Sequence, residues 1–332
     1  MSTIRDIARR ARVSVSTASL AVNGDHRVRP ETRQRVLEAV RELDFHPARA
    51  ARSLASGRTC SLQLLNPVAD TSLSSGFFTR FARGIHDLAR EHGYSLALSI
   101  LDDESEAQAV LDRLINERWV DGVILMNPSE NEALLDRLVA SAFPHVLLGR
   151  GTVAGVTSVD NDNVQVARDA TLLLLERAPG PVLFLNGEAR QTFAQDRAEG
   201  YRQALRAAGA PRGQELIDFV GGPAERARRR VEAALEQGRL FRSVLAASDA
   251  LAVGAMQAIR KHGLAVPGDV AVMGMNNDDV AEFTSPRLSS VELNAYDLGR
   301  NAARLVLESI ARGAPAGGRH LVPHRLVLRE SC

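Results

Sequence analysis

The chain has 332 residues, 45% hydrophobic and 24% charged, ordinary globular values that exclude whole-chain disorder, a collagen-like repeat and a coiled-coil rod, at a length suggesting two or three domains. The net charge is only +1, yet residues 1–60 set twelve arginines against six acids, a local +6, and the remainder sets 29 bases against 34 acids, or −5. A basic head on an acidic body points to a polyanionic partner for the head; with Lys261 the only lysine, compositional bias explains arginine over lysine but not the segregation of sign.

Residues 3–45 read as three short helices. Thr3 can cap the first, with Asp6 in a capping-box-like position, and Ile4, Ile7, Ala8 and Ala11 recur at helical spacing. After a turn at Ala11-Arg12-Val13, Ser14 suits the N-cap of a second helix closed by Asn23-Gly24, and Pro30 suits the first position of a third, striped by Val36, Ala39, Val40 and Leu43. Two short helices joined by a tight turn have helix-turn-helix geometry; a plain three-helix bundle is the alternative on spacing alone. Pro47 ends the bundle. Ala48 to Leu54 could form two helical turns made basic by Arg49, Arg52 and Arg58, too short to be stable without a partner.

From Ser61 onward, strand-like runs (Ser61–Leu65, Ser95–Leu101, Gly122–Met126, His145–Leu148, Val182–Asn186, Ser243–Ala246, Val270–Met275) alternate with amphipathic helices near 77–92, 104–117, 130–141, 162–177, 193–208, 224–237, 249–262 and 295–312. That alternation predicts parallel sheets wound with helices, two units in about 270 residues, with ligands beyond the carboxyl ends of the strands and between the lobes.

Thr3-Ile4-Arg5-Asp6-Ile7-Ala8, followed by Val13-Ser14-Val15-Ser16-Thr17-Ala18-Ser19 and Val22-Asn23, resembles the N-terminal signature of the lactose-repressor (LacI/GalR) family of bacterial regulators. Trp119-Val120-Asp121-Gly122-Val123, Ser248-Asp249-Ala250-Leu251-Ala252-Val253-Gly254, Gly263 to Val270, Pro286 to Val291 and Pro323 to Ser331 carry the likeness through the body. The resemblance implies an α/β chain with an all-α helix-turn-helix head and a two-lobed, doubly wound parallel-sheet body like that of periplasmic binding proteins. The implied domains are 1–46 for the head, 47–59 for a hinge helix and linker, and 60–332 for effector binding and dimerisation. The lobes would be about 60–158 with 290–317, and about 159–289 with 318–332.

By the same resemblance, a homodimer binds a near-palindromic operator with one recognition helix per half-site. Val15, Ser16 and Leu20 would face base edges; Ser14, Thr17, Ser19, Asn23, Thr32 and Arg33 would hold phosphates, with Thr3, Val28 and Arg52 also in the contact set. Apolar side chains at reading positions suit thymine methyls, and Leu54 matches the family's minor-groove wedge. Arg12 stands where the family commonly has Gly or Asn, which would strain a left-handed turn there.

The implied effector set is Phe77, Phe78, Arg150, Asp160, Thr192, Gln195, Arg197, Ser248, Asp249 and Asn276, in the cleft between lobes. Arg197 matches the family's pocket arginine, and its fork suits vicinal hydroxyls or a carboxylate. Asn276 replaces the family's usual Asp, exchanging a charged acceptor for a neutral donor–acceptor and weakening the usual clamp on a sugar. For Asp249, helix capping is the plain alternative.

No G-x-S-x-G, Walker A loop or G-x-G-x-x-G following a strand appears, so no catalytic residue, cofactor or metal is expected; His320 and His324 are separated by the helix-breaking Pro323. The N-terminus lacks a signal-like apolar segment and the apolar runs fall far short of a membrane span. Two cysteines, Cys60 and Cys332, make no disulfide framework. The sequence therefore reads as a cytoplasmic transcription regulator, a repressor controlled by a small molecule and with a carbohydrate as one effector class. The alternative is a two-lobed cytosolic solute-binding protein with a non-specific DNA anchor.

Overall fold

The computed structural model describes residues 2–22, 24–45, 57–66, 75–101, 104–126, 133–151, 153, 155–210 and 215–332. The chain divides into two compact units, residues 1–60 and 61–332. Among the described residues no helix is long and apolar enough to cross a membrane.

The first unit is built on α1 (Ile4–Ala11), α2 (Val15–Val22) and α3 (Pro30–Glu42). The Asp6 carboxylate accepts hydrogen bonds from the Thr3 N–H and hydroxyl at 2.9 and 2.7 Å, fixing the start of α1. The helix stops at Arg12, which takes the left-handed conformation (φ 54°), so the unfavourable backbone expected of that turn is present. Ile7, Ala8, Ala11, Ala18, Ala21, Val28, Val36 and Ala39 form the core; its alanines let three short helices approach closely enough to share it. Val28 is only 7% exposed. It packs into this core, unlike the exposed side chain expected of a DNA contact. Asn23, Arg49, Arg52 and Leu54, with the hinge segment Ala48 to Leu54, lie outside the described residues.

The second unit holds two six-stranded sheets. The first contains β1 (Ser61–Asn66), β2 (Ser95–Ile100), β3 (Gly122–Leu125), β4 (His145–Leu148), β5 (Ser158–Asp160) and, from the far end of the chain, β11 (Arg319–Leu321), in the order β11-β5-β4-β3-β1-β2, all parallel. The second contains β6 (Val182–Asn186), β7 (Leu216–Phe219), β8 (Ser243–Ala246), β9 (Ala271–Met275), β10 (Ser289–Glu292) and β12 (Arg325–Val327), ordered β12-β10-β9-β8-β6-β7, with only β12 antiparallel. The central strands are buried from end to end, as both faces of a parallel sheet are covered by helices.

Those helices are α4 (Gly76–Glu91), α5 (Glu104–Asn116), α6 (Ala133–Ser141), α7 (Asn163–Arg177), α8 (Thr192–Ala207), α9 (Ala224–Glu236), α10 (Asp249–Lys261), the short α11 (Val280–Phe283) and α12 (Ala295–Arg312). Helices α4 and α12 cross through glycine: a Cβ on Gly84 would lie 2.1 Å from the Tyr296 carbonyl oxygen, and one on Gly299 2.1 Å from that of Phe81. The strands and helices expected from Ser61 onward fall on observed ones wherever their residues are described. The short strands β5, β7, β10, β11 and β12 were not anticipated. Two of them move the lobe boundaries: β10 belongs to the second sheet and β11 to the first, opposite to the division expected around 290 and 318.

The chain therefore passes between lobes after β5, after β10 and after β11. At these crossings the Asn161 side-chain amide donates to the carbonyls of Leu293 and Val322, and that of Asn294 to Pro323.

Candidate functional site

Two surfaces carry chemistry, one on each unit. On the first, α2 buries Ala18 and Ala21 and turns the other face outward. Val15 is 45% exposed, Ser16 is exposed, and Thr17, Ser19 and Leu20 are half-buried, with Leu20 packed against the core. Ser14 accepts a hydrogen bond from the Thr17 N–H at 3.0 Å, and the two hydroxyls lie 2.8 Å apart. These hydroxyls thus sit at the unsatisfied amides of a helix start, where an anion is favoured.

Several arginines of this unit are committed. Arg9 pairs with Asp6, Arg10 with Glu42 and Arg27 with Asp25, and the Arg27 guanidinium holds the Asp25 carboxyl well below the usual range. Arg33 spends Nη2 on the carbonyls of Gly24 and Asp25, so it clamps the loop after α2 rather than standing ready for phosphate alone. Thr32 is half-buried, and the Thr3 hydroxyl serves the start of α1. Arg5, Arg12, Arg29, Arg35 and Arg41 are exposed and make no ion pair among the described residues.

In the second unit, a cleft of about 950 Å³ is walled by residues of both lobes. It lies at the carboxyl ends of the strands, so the first turns of α4, α7, α8, α9 and α10 open onto it through Gly76, Asn163, Thr192, Ala224 and Ala250. Of the expected effector residues, Phe77, Asp160, Thr192, Arg197, Ser248 and Asn276 line it.

Phe77 stacks on Phe81 with ring centroids 6.2 Å apart. Asp160 accepts from the Asn161 N–H, Asn163 and Arg319; burial pushes its carboxyl upward, against the pull of Arg319. Arg197 lies 6% exposed, with Nε 2.8 Å from Asn163 Oδ1, Nη1 3.3 Å from the Ala247 carbonyl, and its guanidinium 4.8 Å above the Phe193 ring. Its burial lowers its pKa to about 10. The Thr192 hydroxyl is buried without a hydrogen-bond partner among the described residues. Ser248 caps α10 by accepting from the Leu251 N–H, the role considered for Asp249. Asn276 adopts a positive φ of 99°.

Four expected residues do not line the cleft. Phe78 is buried in the first-lobe core. Arg150 forms a bidentate ion pair with Asp196, 3.0–3.2 Å, that joins the lobes. Gln195 donates to the Ala189 carbonyl. Asp249 is fully buried behind the wall, accepting from the Ser290 hydroxyl and the Asp278 N–H, both at 2.6 Å, and its pKa is raised to about 7 by burial.

The cleft also contains residues that sequence reasoning missed, among them Asn163, Arg190, Phe193, Asp278 and Asp279. Each follows a strand end or opens a helix, the position rule that could have found them. Asp278 ties the lobes together: Arg80 of the first lobe donates to its carboxylate at 2.9 Å and to the Asn277 and Asn276 carbonyls at 3.0 and 2.5 Å.

With this geometry in place, comparison with known proteins is specific. Residues 3–48 match the profile of bacterial regulatory proteins, lacI family, and residues 180–332 that of a periplasmic binding protein-like domain. The HTH-type transcriptional regulator RegA of Clostridium saccharobutylicum is 30% identical over 332 residues, 99% of each chain. The chain belongs to the lacI family of bacterial regulatory proteins.

Other lacI-family relatives extend the match. The ribose operon repressor of Halalkalibacterium halodurans is 31% identical, covering 100% of this chain and 97% of its own. Among solved structures, the transcriptional regulator CelR–cellobiose complex is 28% identical with a TM-score of 0.77 and full coverage of both chains. The lac repressor dimer bound to operator and the anti-inducer ONPF superposes with a TM-score of 0.86 at 23% identity, covering 99% and 98%, a likeness of fold. The protein is accordingly a ligand-responsive, DNA-binding transcription regulator of this family, whose members are regulators and not enzymes.

Proposed function

We propose that this lacI-family protein is a cytoplasmic, homodimeric repressor that holds a near-palindromic operator and changes its grip when a small polyhydroxylated metabolite, a carbohydrate or a close relative of one, enters the cleft. Names of relatives such as the ribose operon repressor and the CelR–cellobiose complex support a carbohydrate-like effector. The observation that carries the regulatory half is that the cleft takes one wall from each lobe, so an occupant bridging both walls biases their relative orientation. A ligand that favours one orientation then changes operator affinity by the same coupling factor with which DNA changes ligand affinity.

In this reading α2 enters the major groove. Val15 and Ser16 meet base edges, with Leu20 at the margin; Ser14, Thr17, Ser19, Thr32 and the unpaired arginines hold phosphates. Asn23, Arg52 and Leu54 keep the roles implied by family resemblance. Phe77, Asp160, Thr192, Arg197, Ser248 and Asn276 form the effector wall, joined by Asn163, Arg190 and Phe193.

The test selects genomic fragments with purified protein across a salt titration. A recovered palindrome with half-sites about one helical turn apart, released or tightened by a metabolite, is the expected result. Binding that depends on salt but not on sequence would instead favour a solute-binding protein with a generic DNA anchor.

A further inference from the structure

The turn that follows β9 faces two ways. Its three successive N–H groups are bonded inside the second lobe: Asn276 to the Val291 carbonyl at 2.8 Å, Asn277 to the Ser290 hydroxyl at 3.0 Å and Asp278 to the buried Asp249 carboxylate at 2.6 Å. Its acceptors all go to the first lobe. Arg80 donates to the Asn276 and Asn277 carbonyls and to the Asp278 carboxylate, which also accepts from the Gly76 and Phe77 N–H groups at the start of α4. Positive φ angles of 99° at Asn276 and 50° at Asn277 separate the two sides, a backbone that asparagine tolerates better than most residues.

Asp278 thereby caps a helix of the opposite lobe. Ser75 accepts from the Phe78 N–H at 3.2 Å within the first lobe, and the two amides before it are taken by Asp278 across the cleft. Gly76 is shaped for this contact. A Cβ there would lie 2.5 Å from Asp278 Oδ1 and 2.9 Å from its Cγ, while the φ of Gly76 lies outside the left-handed region. Glycine at this position therefore serves the close approach of the carboxylate and not the backbone.

The energetics favour closure. In the closed arrangement the carboxylate gains the positive potential of a helix start and charge-assisted hydrogen bonds from a guanidinium and two amides. Burial works the other way, pushing the Asp278 carboxyl upward, so the contact is releasable rather than permanent.

We propose that this contact is a latch by which the chain closes its own cleft: without any effector, Asp278 fills the start of α4 and holds the two lobes together. A ligand shifts such an equilibrium only by its difference in affinity for the two states. The effector therefore opens or reinforces a closure already present instead of creating one. The latch belongs to the effector-free protein, so it stands or falls separately from the carbohydrate reading of the cleft and from the operator.

Hydrogen exchange on the full-length protein without ligand tests it, in wild type, Asp278→Ala and Gly76→Ala. Asp278→Ala removes the acceptor from the second lobe. Gly76→Ala adds one methyl to the first, and alanine is the better helix former, so α4 itself is not weakened. Each variant is read in the lobe that was not altered.

Exchange at 75–80 should rise about tenfold or more in Asp278→Ala, and exchange at 276–280 should rise likewise in Gly76→Ala. The central strands at 122–125 and 182–186 should keep their protection in both. Gly76→Ala alone decides the matter if Asp278→Ala does not fold. Changes confined to the substituted lobe would overturn the latch. So would wild-type exchange at 75–80 as fast as in Asp278→Ala, because the lobes would then already be apart.

Discussion

The Asn161 side-chain amide donates to the Val322 carbonyl at 2.9 Å, joining the first passage between the lobes to the third. The same nitrogen reaches the Leu293 carbonyl in the second passage at 3.1 Å, so one 3%-exposed side chain gathers all three. This one amide therefore ties the three connecting segments together at a single point between the lobes.

Asn161→Leu keeps the size and removes the donor. Each buried carbonyl left without its partner costs about 1–3 kcal/mol, so urea unfolding should show a clear loss of stability. Hydrogen exchange should rise first around 161–163, 293–295 and 322–325. Unchanged exchange there would mean that the crossings are held by packing alone.

The lobes are further joined on either side of the cleft by Arg80–Asp278 and Arg150–Asp196. Arg80→Met removes the bonds to the Asn276 and Asn277 carbonyls as well as the ion pair. It also leaves Asp278, whose carboxyl burial already pushes upward, without its cation. The variant should populate a more open arrangement, seen as a larger radius of gyration in small-angle scattering, with weaker effector binding and a retained fold. An unchanged radius and unchanged effector affinity would show that this contact does not restrain the lobes.

Most of this architecture was legible in the sequence for a simple reason. Central strands such as Val182–Asn186 and Val270–Met275 are buried on both faces and so read as unbroken apolar runs, and their helices are amphipathic with recognisable ends. The three-residue strands β5, β11 and β12 are too short for any period to show, and β11 pairs with residues 161 positions earlier, a contact that local pattern cannot encode. The cleft was half legible. Asp160 could be placed at a cleft-facing end and Arg197 by the family resemblance, but whether Phe77 or Phe78 faces the cleft depends on the rotation of α4. Arg150 sits on the correct loop and is taken by Asp196, a partner chosen by tertiary folding. Val28 shows the opposite limit: an apolar residue in a contact motif was needed by a small core.

Asp249 gives a pH signature. Its folded pKa, about 7 against an ordinary 3.8, means that the folded state holds a proton the unfolded chain has released. Stability should therefore fall as pH rises from about 4 to about 7 and level off above, with a slope of at most about 1.4 kcal/mol per pH unit from this group. Asp249→Asn abolishes that component whatever its own cost in stability, because nothing remains to titrate. Parallel stability profiles for both proteins over this window would assign the dependence elsewhere.

Val15 separates reading from folding on the DNA-binding unit. Its side chain is 45% exposed beside Ser16, at the start of a helix whose inner face is Ala18 and Ala21. Val15→Ala gives up little buried surface, and alanine is the better helix former, so thermal unfolding should move by no more than about 0.5 kcal/mol. If its methyls meet a thymine methyl, the specific operator loses about 1–3 kcal/mol relative to nonspecific DNA, with the slope of affinity against salt unchanged because no phosphate contact is lost. Val28→Ala should behave in the reverse way, lowering stability through the core while leaving the sequence preference of the folded protein as it was. Equal losses on both DNAs for Val15→Ala would remove it from the base-reading set.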